Sequence, residues 1–295
     1  MGNTITLKRW YKKTSLRNSI SQWKDLPEEI LEMIFGRLDD IVLFETVYCV
    51  CQSWRSVSRP LIYWRSDGLV SFNFLKRTCA GGAEEASQFM ELLKIVLDEL
   101  ERQSKAATRI VLPQSIYISD DHLSYITKRL PNIQGLHLPY TTEKITATGF
   151  SNAIKCLKDL KKFSVGPIKS FDYNYVMLEI GRNLKNLNYL RLNGQVSKKI
   201  VRASNSLVIN RYTSRTLINN TCNVERLVLN HCLLYKSGLE TILSESTSFH
   251  LIIIIMCKHA YSRNYPSLVS YTLQKRVTED ECVEWNPYPG PLEMI

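Results

Sequence analysis

Apolar positions recur along the second half of this chain with a period of about 26 residues. Five short pairs alternate apolar and intervening residues: Leu136-x-Leu138, Phe163-x-Val165, Leu190-x-Leu192, Leu227-x-Leu229 and Ile252-x-Ile254. Residues two apart on a strand share a face, so each pair reads as a strand with one buried side. Three residues before each pair stands a further apolar residue: Ile133, Leu160, Leu187, Val224 and Phe249. Six before come Leu130, Leu157, Leu184, Thr221 and Ser246; nine or ten before come Ile126, Ile154, Ile180, Leu217 or Ile218, and Ile242. An earlier, partial copy leads from Leu100 to Ile110-x-Leu112. From pair to pair the spacings are 26, 27, 27, 37 and 25. Three copies are complete, two have a polar residue at the sixth position back, and one interval carries about ten extra residues. Each copy is one helix and one short strand, and neither buries its apolar face until the next copy stacks on it. The pattern predicts Ile126 and Leu130 packing inward from the helix side and the paired strand residues packing inward from the strand side. Their strand neighbours then point to solvent.

The N-terminal pattern is different. Residues 23–64 read as three short helices. In the first, Ile30, Ile34 and Leu38 fall on one stripe that Leu31 and Phe35 widen. Asp25 is placed to cap it, Pro27 suits its first turn, and Glu28 and Glu29 complement the positive end of its dipole. A second helix is expected over Asp40–Val47 and a third over Val50–Arg59, ended by Pro60. About forty residues cannot bury a self-sufficient core, so so apolar a stretch needs a partner or the rest of the chain.

Leu26-Pro27-Glu28-Glu29-Ile30, followed by Ile34, Leu38, Val50-Cys51, Trp54-Arg55 and Trp64-Arg65, resembles an F-box; Asp40-Ile41-Val42-Leu43 departs mildly from the family's usual Asp-Leu. The resemblance implies docking on a Skp-type adaptor, and through it on cullin and RING subunits, as the substrate receptor of an SCF-type ubiquitin ligase. It assigns adaptor contact to Leu26, Pro27, Ile30, Leu31, Ile34, Leu38 and Trp54. The repeat period, together with Leu227-x-Leu229-x-x-Cys232, resembles the longer leucine-rich repeats. The expected fold is therefore α/β: a small helical F-box followed by a leucine-rich-repeat solenoid, with short parallel strands on its concave face and helices on its convex face. The expected boundaries are a basic, flexible tail over 1–22, the F-box over 23–68, and a connecting segment with a helix (Ser87–Arg102) over 69–99. About six irregular repeats follow over 100–257, then a divergent or disordered segment over 258–295. In that last segment no further repeat is legible.

Composition narrows the functional classes. The 295 residues are 44% hydrophobic and 22% charged, as in a globular chain. No apolar run approaches the roughly 18 residues of a membrane helix, and no apolar signal region follows the N-terminus. None of the eight cysteines forms a CxxC pair, so they read as reduced thiols of the cytosol or nucleus, with Cys232 and Cys257 at buried repeat positions. Residues 1–24 carry Lys8, Arg9, Lys12, Lys13, Arg17 and Lys24 with no acid, which is +6 of the net +10. The simplest expectation for this tail is a solvated leader with no nucleic-acid partner. Met1-Gly2-Asn3-Thr4-Ile5-Thr6 also fits the myristoylation pattern, making Gly2 a candidate anchor.

Catalytic signatures are missing. The histidines at 122, 137, 231, 250 and 259 belong to no HExxH spacing, and GxSxG, GxxxxGK[ST] and GxGxxG do not occur. The expectation is a non-enzymatic protein without cofactor or metal. The strand positions expected to face solvent are rich in Lys, Arg and His, with Glu225 as the single acid. Arg109, Lys162, Tyr189, Arg191 and Arg226 are the candidates for holding an acidic or phosphorylated target.

Overall fold

The computed structural model describes residues 23, 26–39, 42–64, 67–73, 75, 83–114, 116–138, 144–167, 171–194, 207–259 and 268–274. The tail 1–22 with Gly2, the expected cap Asp25, and the Pro-rich stretch from Trp285 to Pro291 lie outside these residues. The chain divides into two compact units, Met1–Tyr63 and Trp64–Ile295.

In the first unit, α1 (Glu28–Phe35) begins where Pro27 has no N–H to leave unsatisfied. The amides of Ile30 and Leu31 both donate to the Pro27 carbonyl at 3.1 Å. A π-helical turn (Leu43–Val47) runs into α2 (Tyr48–Val50), and extended Cys51 separates it from α3 (Gln52–Tyr63). The third helix continues through Pro60, where the sequence predicts its end. Proline removes one backbone bond there, but the helix goes on for less than one turn more, and Ile62 and Tyr63 bury their side chains within it. Leu31, Phe35, Leu43, Val47, Val57 and Ile62 form the small core. The Phe35 ring meets Trp54 edge-on, with centroids 5.1 Å apart.

The second unit is built on one parallel run of strands in the order β1 (Leu69–Ser71), β2 (Arg109–Val111), β3 (Gly135–His137), β4 (Lys162–Val165), β5 (Tyr189–Asn193), β7 (Arg226–Asn230) and β9 (Leu251–His259). The helices α4 (Ala83–Arg102), α5 (Asp120–Arg129), α6 (Ala147–Cys156), α7 (Tyr173–Asn183), α8 (Arg211–Asn220) and α9 (Lys236–Glu245) alternate with them. The sequence period is the register of the sheet: Ile110, Leu136, Phe163, Leu190, Leu227 and Ile252 pair in a continuous row. The register is set at the entrance of each strand, where one carbonyl accepts two successive amides from the next copy. Gln134 O takes Lys161 and Lys162, Lys161 O takes Asn188 and Tyr189, and Asn188 O takes Glu225 and Arg226. The helices cover the face carrying the paired residues, as the Phe150–Phe163 and Phe72–Phe89 ring contacts show.

The two copies with a polar residue at the sixth position back use it to close the helix end. Thr221 Oγ1 donates to the Leu217 carbonyl at 2.7 Å, and Ser246 Oγ accepts the Phe249 amide at 3.3 Å, both in buried positions. A hydroxyl that is hydrogen-bonded locally can replace an aliphatic side chain without leaving a buried polar group unsatisfied. Leu130 is only half-buried, because it lines a cavity with Leu97, Leu100 and Ile133 between the ends of neighbouring copies.

Two expectations change, and the longest interval gains an element of its own. The segment 69–99 is not a connector: Val70-x-Phe72 is a strand pair in register with Ile110, and α4 is the helix of that copy. The pair stands 40 positions before Ile110, well outside the period, so periodicity missed it. The extra residues between Leu192 and Leu227 lead to β6 (Val208–Ile209), which pairs with β8 (Leu233–Leu234) in a short second ladder that continues onto β9. Order also extends past 257, since β9 reaches His259 and β10 (Leu268–Gln274) pairs antiparallel along it.

Candidate functional site

Each unit carries one candidate surface. In the first, α1 turns the two halves of its apolar stripe opposite ways. Leu31 and Phe35 point into the core, while Ile30 and Ile34 are 39% and 40% exposed. Pro27, Ile30, Met33 and Ile34 follow the i, i+3, i+4 spacing of one helix face, and all of them are exposed. Leu38 and Val42 extend exposed apolar surface beyond the helix, and Trp23 and Val50 add more. Among the described residues, most of the exposed large hydrophobic side chains lie in this unit.

This placement corrects part of the sequence assignment. Leu31 is fully buried and cannot be reached by a docked protein without unfolding the unit. Trp54 is half-buried; its ring packs on Phe35 and its Nε1 donates to the Trp23 carbonyl at 3.3 Å, so it supports the surface more than it forms it. Leu26 is half-buried as well. Met33, Val42 and Val50 are exposed apolar residues that the sequence assignment does not include. Met33 could have been found, since it lies three residues after Ile30 on the same face.

In the second unit, the candidate surface is the face of the sheet opposite the helices. Register puts Arg109, Gly135, Lys162, Tyr189 and Arg226 in one row, and Val111, His137, Ser164, Arg191 and Val228 in the next. The sequence candidates are thus brought together, but the face is not an open basic strip. Tyr189 is buried in an apolar cluster with Val111 and Val228, against which Leu69, Ile253 and Ile255 pack. His137 and Val228, expected to face solvent, are buried too. Strand alternation shows which residues share a face; it does not show whether that face is covered.

The charges on this face differ in their partners. The Arg109 guanidinium pairs with Asp67, 2.7 Å from Oδ2, and also donates to the Asp67 carbonyl. Arg191 is half-buried and donates through Nε to Asn193 Oδ1 at 3.1 Å. Among the described residues no carboxylate pairs with it. Asn193 is held at both ends: its Nδ2 donates to Ser164 Oγ and the Val165 carbonyl, and its Oδ1 also accepts from Asn230 Nδ2. This buried network holds the Arg191 side chain through one nitrogen; among the described residues its terminal nitrogens meet no hydrogen-bond acceptor. Burial, and then the Arg191 charge, lowers the His137 pKa to about 3 and pulls His231 below the usual histidine value. The network was not legible in the sequence, because Asn193 and Asn230 are 37 residues apart and only the register brings them together.

Cys232 and Cys257 occupy the buried repeat positions expected of them, with sulfurs 2.9 Å apart.

The sequence is similar to those of known proteins. The F-box-like family matches residues 23–67. An F-box/LRR-repeat protein of Arabidopsis thaliana is 27% identical over 178 residues, covering 59% of this chain; the chain spans 57% of that relative's length. The F-box protein SKIP1 of the same plant is 26% identical over 262 residues, covering 85% of this chain and 84% of SKIP1. Residues 23–67 are an F-box-like domain, and the chain is similar over most of its length to F-box and F-box/LRR-repeat proteins.

Proposed function

We propose that the chain is the substrate-recognition subunit of an SCF-type ubiquitin ligase, with the F-box-like domain bound to a Skp-type adaptor and the repeats bound to a target protein. The observation that carries the reading is the apolar face of α1, where Ile30, Met33 and Ile34 stand exposed beside the small core of the first unit. Burying a large aliphatic side chain completely is worth roughly 1.5–3 kcal/mol, so three such residues are enough to anchor a partner. The chain itself supplies proximity. The adaptor links it to cullin and RING subunits, the repeats hold the target, and a separate enzyme transfers ubiquitin at a raised effective concentration of target lysines.

Target recognition is assigned to the face opposite the helices. Arg191 offers a positioned guanidinium that pairs with no carboxylate among the described residues, and Lys162 and Arg226 border the apolar cluster around Tyr189. This chemistry fits an acidic or phosphorylated segment carrying an apolar side chain. The test uses two double variants of the full chain. Ile30→Lys/Ile34→Lys should abolish co-purification of adaptor and cullin. Arg191→Glu/Arg226→Glu should abolish target capture with adaptor binding intact. Adaptor binding that survives the first variant overturns the docking assignment. If the adaptor binds and the cullin never co-purifies, the chain is an adaptor-bound scaffold outside any ligase.

A further inference from the structure

Cys232 and Cys257 meet where β9 passes from one neighbouring strand to the next. Register runs from Asn230 opposite Ile255 to Leu233 opposite Lys258, so Cys232 stands directly across from Cys257 on parallel chains. His231, at φ 51°, turns the chain between β7 and β8 and donates its amide to the Ile255 carbonyl at 3.0 Å. The next amide, that of Cys232, donates to a sulfur instead, Cys257 Sγ at 3.5 Å. Both residues are fully buried, and their sulfurs lie 2.9 Å apart.

This is the geometry of two thiols able to bond. Neighbouring strands lie about 4.8 Å apart, within the roughly 4.4–6.8 Å between Cα atoms that a disulfide spans. The two sulfurs have to close by under about 1 Å to reach covalent length. A thiol that stays buried is inert, so reaction needs an opening. Cys232 leads directly into β8, whose ladder with β6 is only two residues long. So short a ladder opens at a fraction of the cost of unfolding the unit.

We propose that Cys232 and Cys257 are a reversible redox pair, oxidised by hydrogen peroxide to a disulfide that clips β9 to the copy before it. The peroxide O–O bond breaks as one thiol becomes a sulfenic acid, and the first water leaves. The second thiol attacks that sulfur, the S–S bond forms, and the hydroxyl departs as a second water. Two thiols have lost two electrons and two protons, and the peroxide has taken up both. A dithiol reverses the bond by exchange. The loop so closed spans 25 residues and holds β8 and α9, one whole copy of the repeat. Closing it limits the unfolded chain and so stabilises the folded one.

The test uses the purified full chain, reduced and then treated briefly with hydrogen peroxide. Remaining thiols are blocked with N-ethylmaleimide in denaturant, and the unreduced tryptic peptides are weighed by mass spectrometry. Cleavage after Lys236 separates the two cysteines, so the disulfide joins Leu227–Lys236 to Ser237–Lys258 in one mass. That linked peptide should hold most of Cys232, form equally at tenfold lower protein concentration, and vanish under dithiothreitol. With it the urea midpoint of the repeat unit should rise, the unfolding equilibrium constant falling by about 100-fold. Neither change should occur in Cys232→Ser or Cys257→Ser. The peptide map of the native chain decides the matter even where a variant fails to fold. Exposed Cys49, Cys156 and Cys222 supply the internal control for oxidation. If they are oxidised while Cys232 and Cys257 are recovered as free thiols, the proposal is overturned. Linkage of either residue mainly to another cysteine overturns it as well, and so does a bond that leaves the midpoint where it was.

Discussion

Both candidate surfaces are apolar where alternation or helix phase points away from a core, yet they differ in what the rest of the chain does with them. Along α1, Ile30, Met33 and Ile34 remain exposed. Across the repeat sheet, Val111, Tyr189 and Val228 have equally apolar neighbours and are buried. An exposed apolar face is free to bury its area against another molecule. A face already buried can take a partner only by exchange, so its affinity is reduced by whatever the internal contacts contribute. The comparison separates an apolar face that stands exposed from one that is already buried.

The strongest way to break this comparison is to charge the buried face. Val228→Asp should destabilise the repeat unit by at least about 3–4 kcal/mol, because an isolated carboxylate would be forced into an apolar cluster. Loss of less than about 1 kcal/mol in a urea melt would mean the face is open. Next in size is the contrast within α1. Leu31→Ala should cost about 2–5 kcal/mol of stability in the first unit. Ile30→Ala should cost under roughly 0.5 kcal/mol while weakening adaptor binding about tenfold. Equal effects on stability would erase the distinction between the two halves of the stripe.

Acid titration sharpens the same point at His137. Its pKa is lowered to about 3, first by burial and then by Arg191, against an ordinary value of 6.5. Between these values the unfolded chain binds the proton and the folded chain does not. The contribution to stability is therefore complete above about pH 6.5 and is lost as pH falls toward 3, at no more than about 1.4 kcal/mol per pH unit. Denaturation midpoints at pH 7 and pH 4.5 should show this loss in the native chain and a flatter dependence in His137→Gln. The smallest effect belongs to Arg109–Asp67, a partly exposed pair. A double-mutant cycle to alanine should return a coupling of about 0.2–1 kcal/mol.

Much of the second unit was legible because its sequence period and its sheet register are the same quantity. Leu136, Phe163, Leu190, Leu227 and Ile252 were aligned by spacing and are neighbours across the strands. Val70 escaped because the stretch between it and Ile110 is longer than a repeat. The polar network around Asn193 escaped because its members, Ser164, Asn193 and Asn230, belong to different copies and have ordinary neighbours in sequence. At the N-terminus, spacing identified the apolar stripe of α1 but could not say that Leu31 and Ile30, adjacent in sequence, would face opposite environments.

The sequence by itself determined the repeat unit, the strand register and the F-box-like pattern, since each follows from the relative phase of side chains along a regular backbone. Tertiary structure decided the absolute questions: which side of α1 is left bare, that Asp67 neutralises Arg109, and that the face opposite the helices is covered. Periodicity fixes how residues are oriented toward one another. Whether a given face meets water or protein depends on segments far away in sequence, and only the folded chain brings those together.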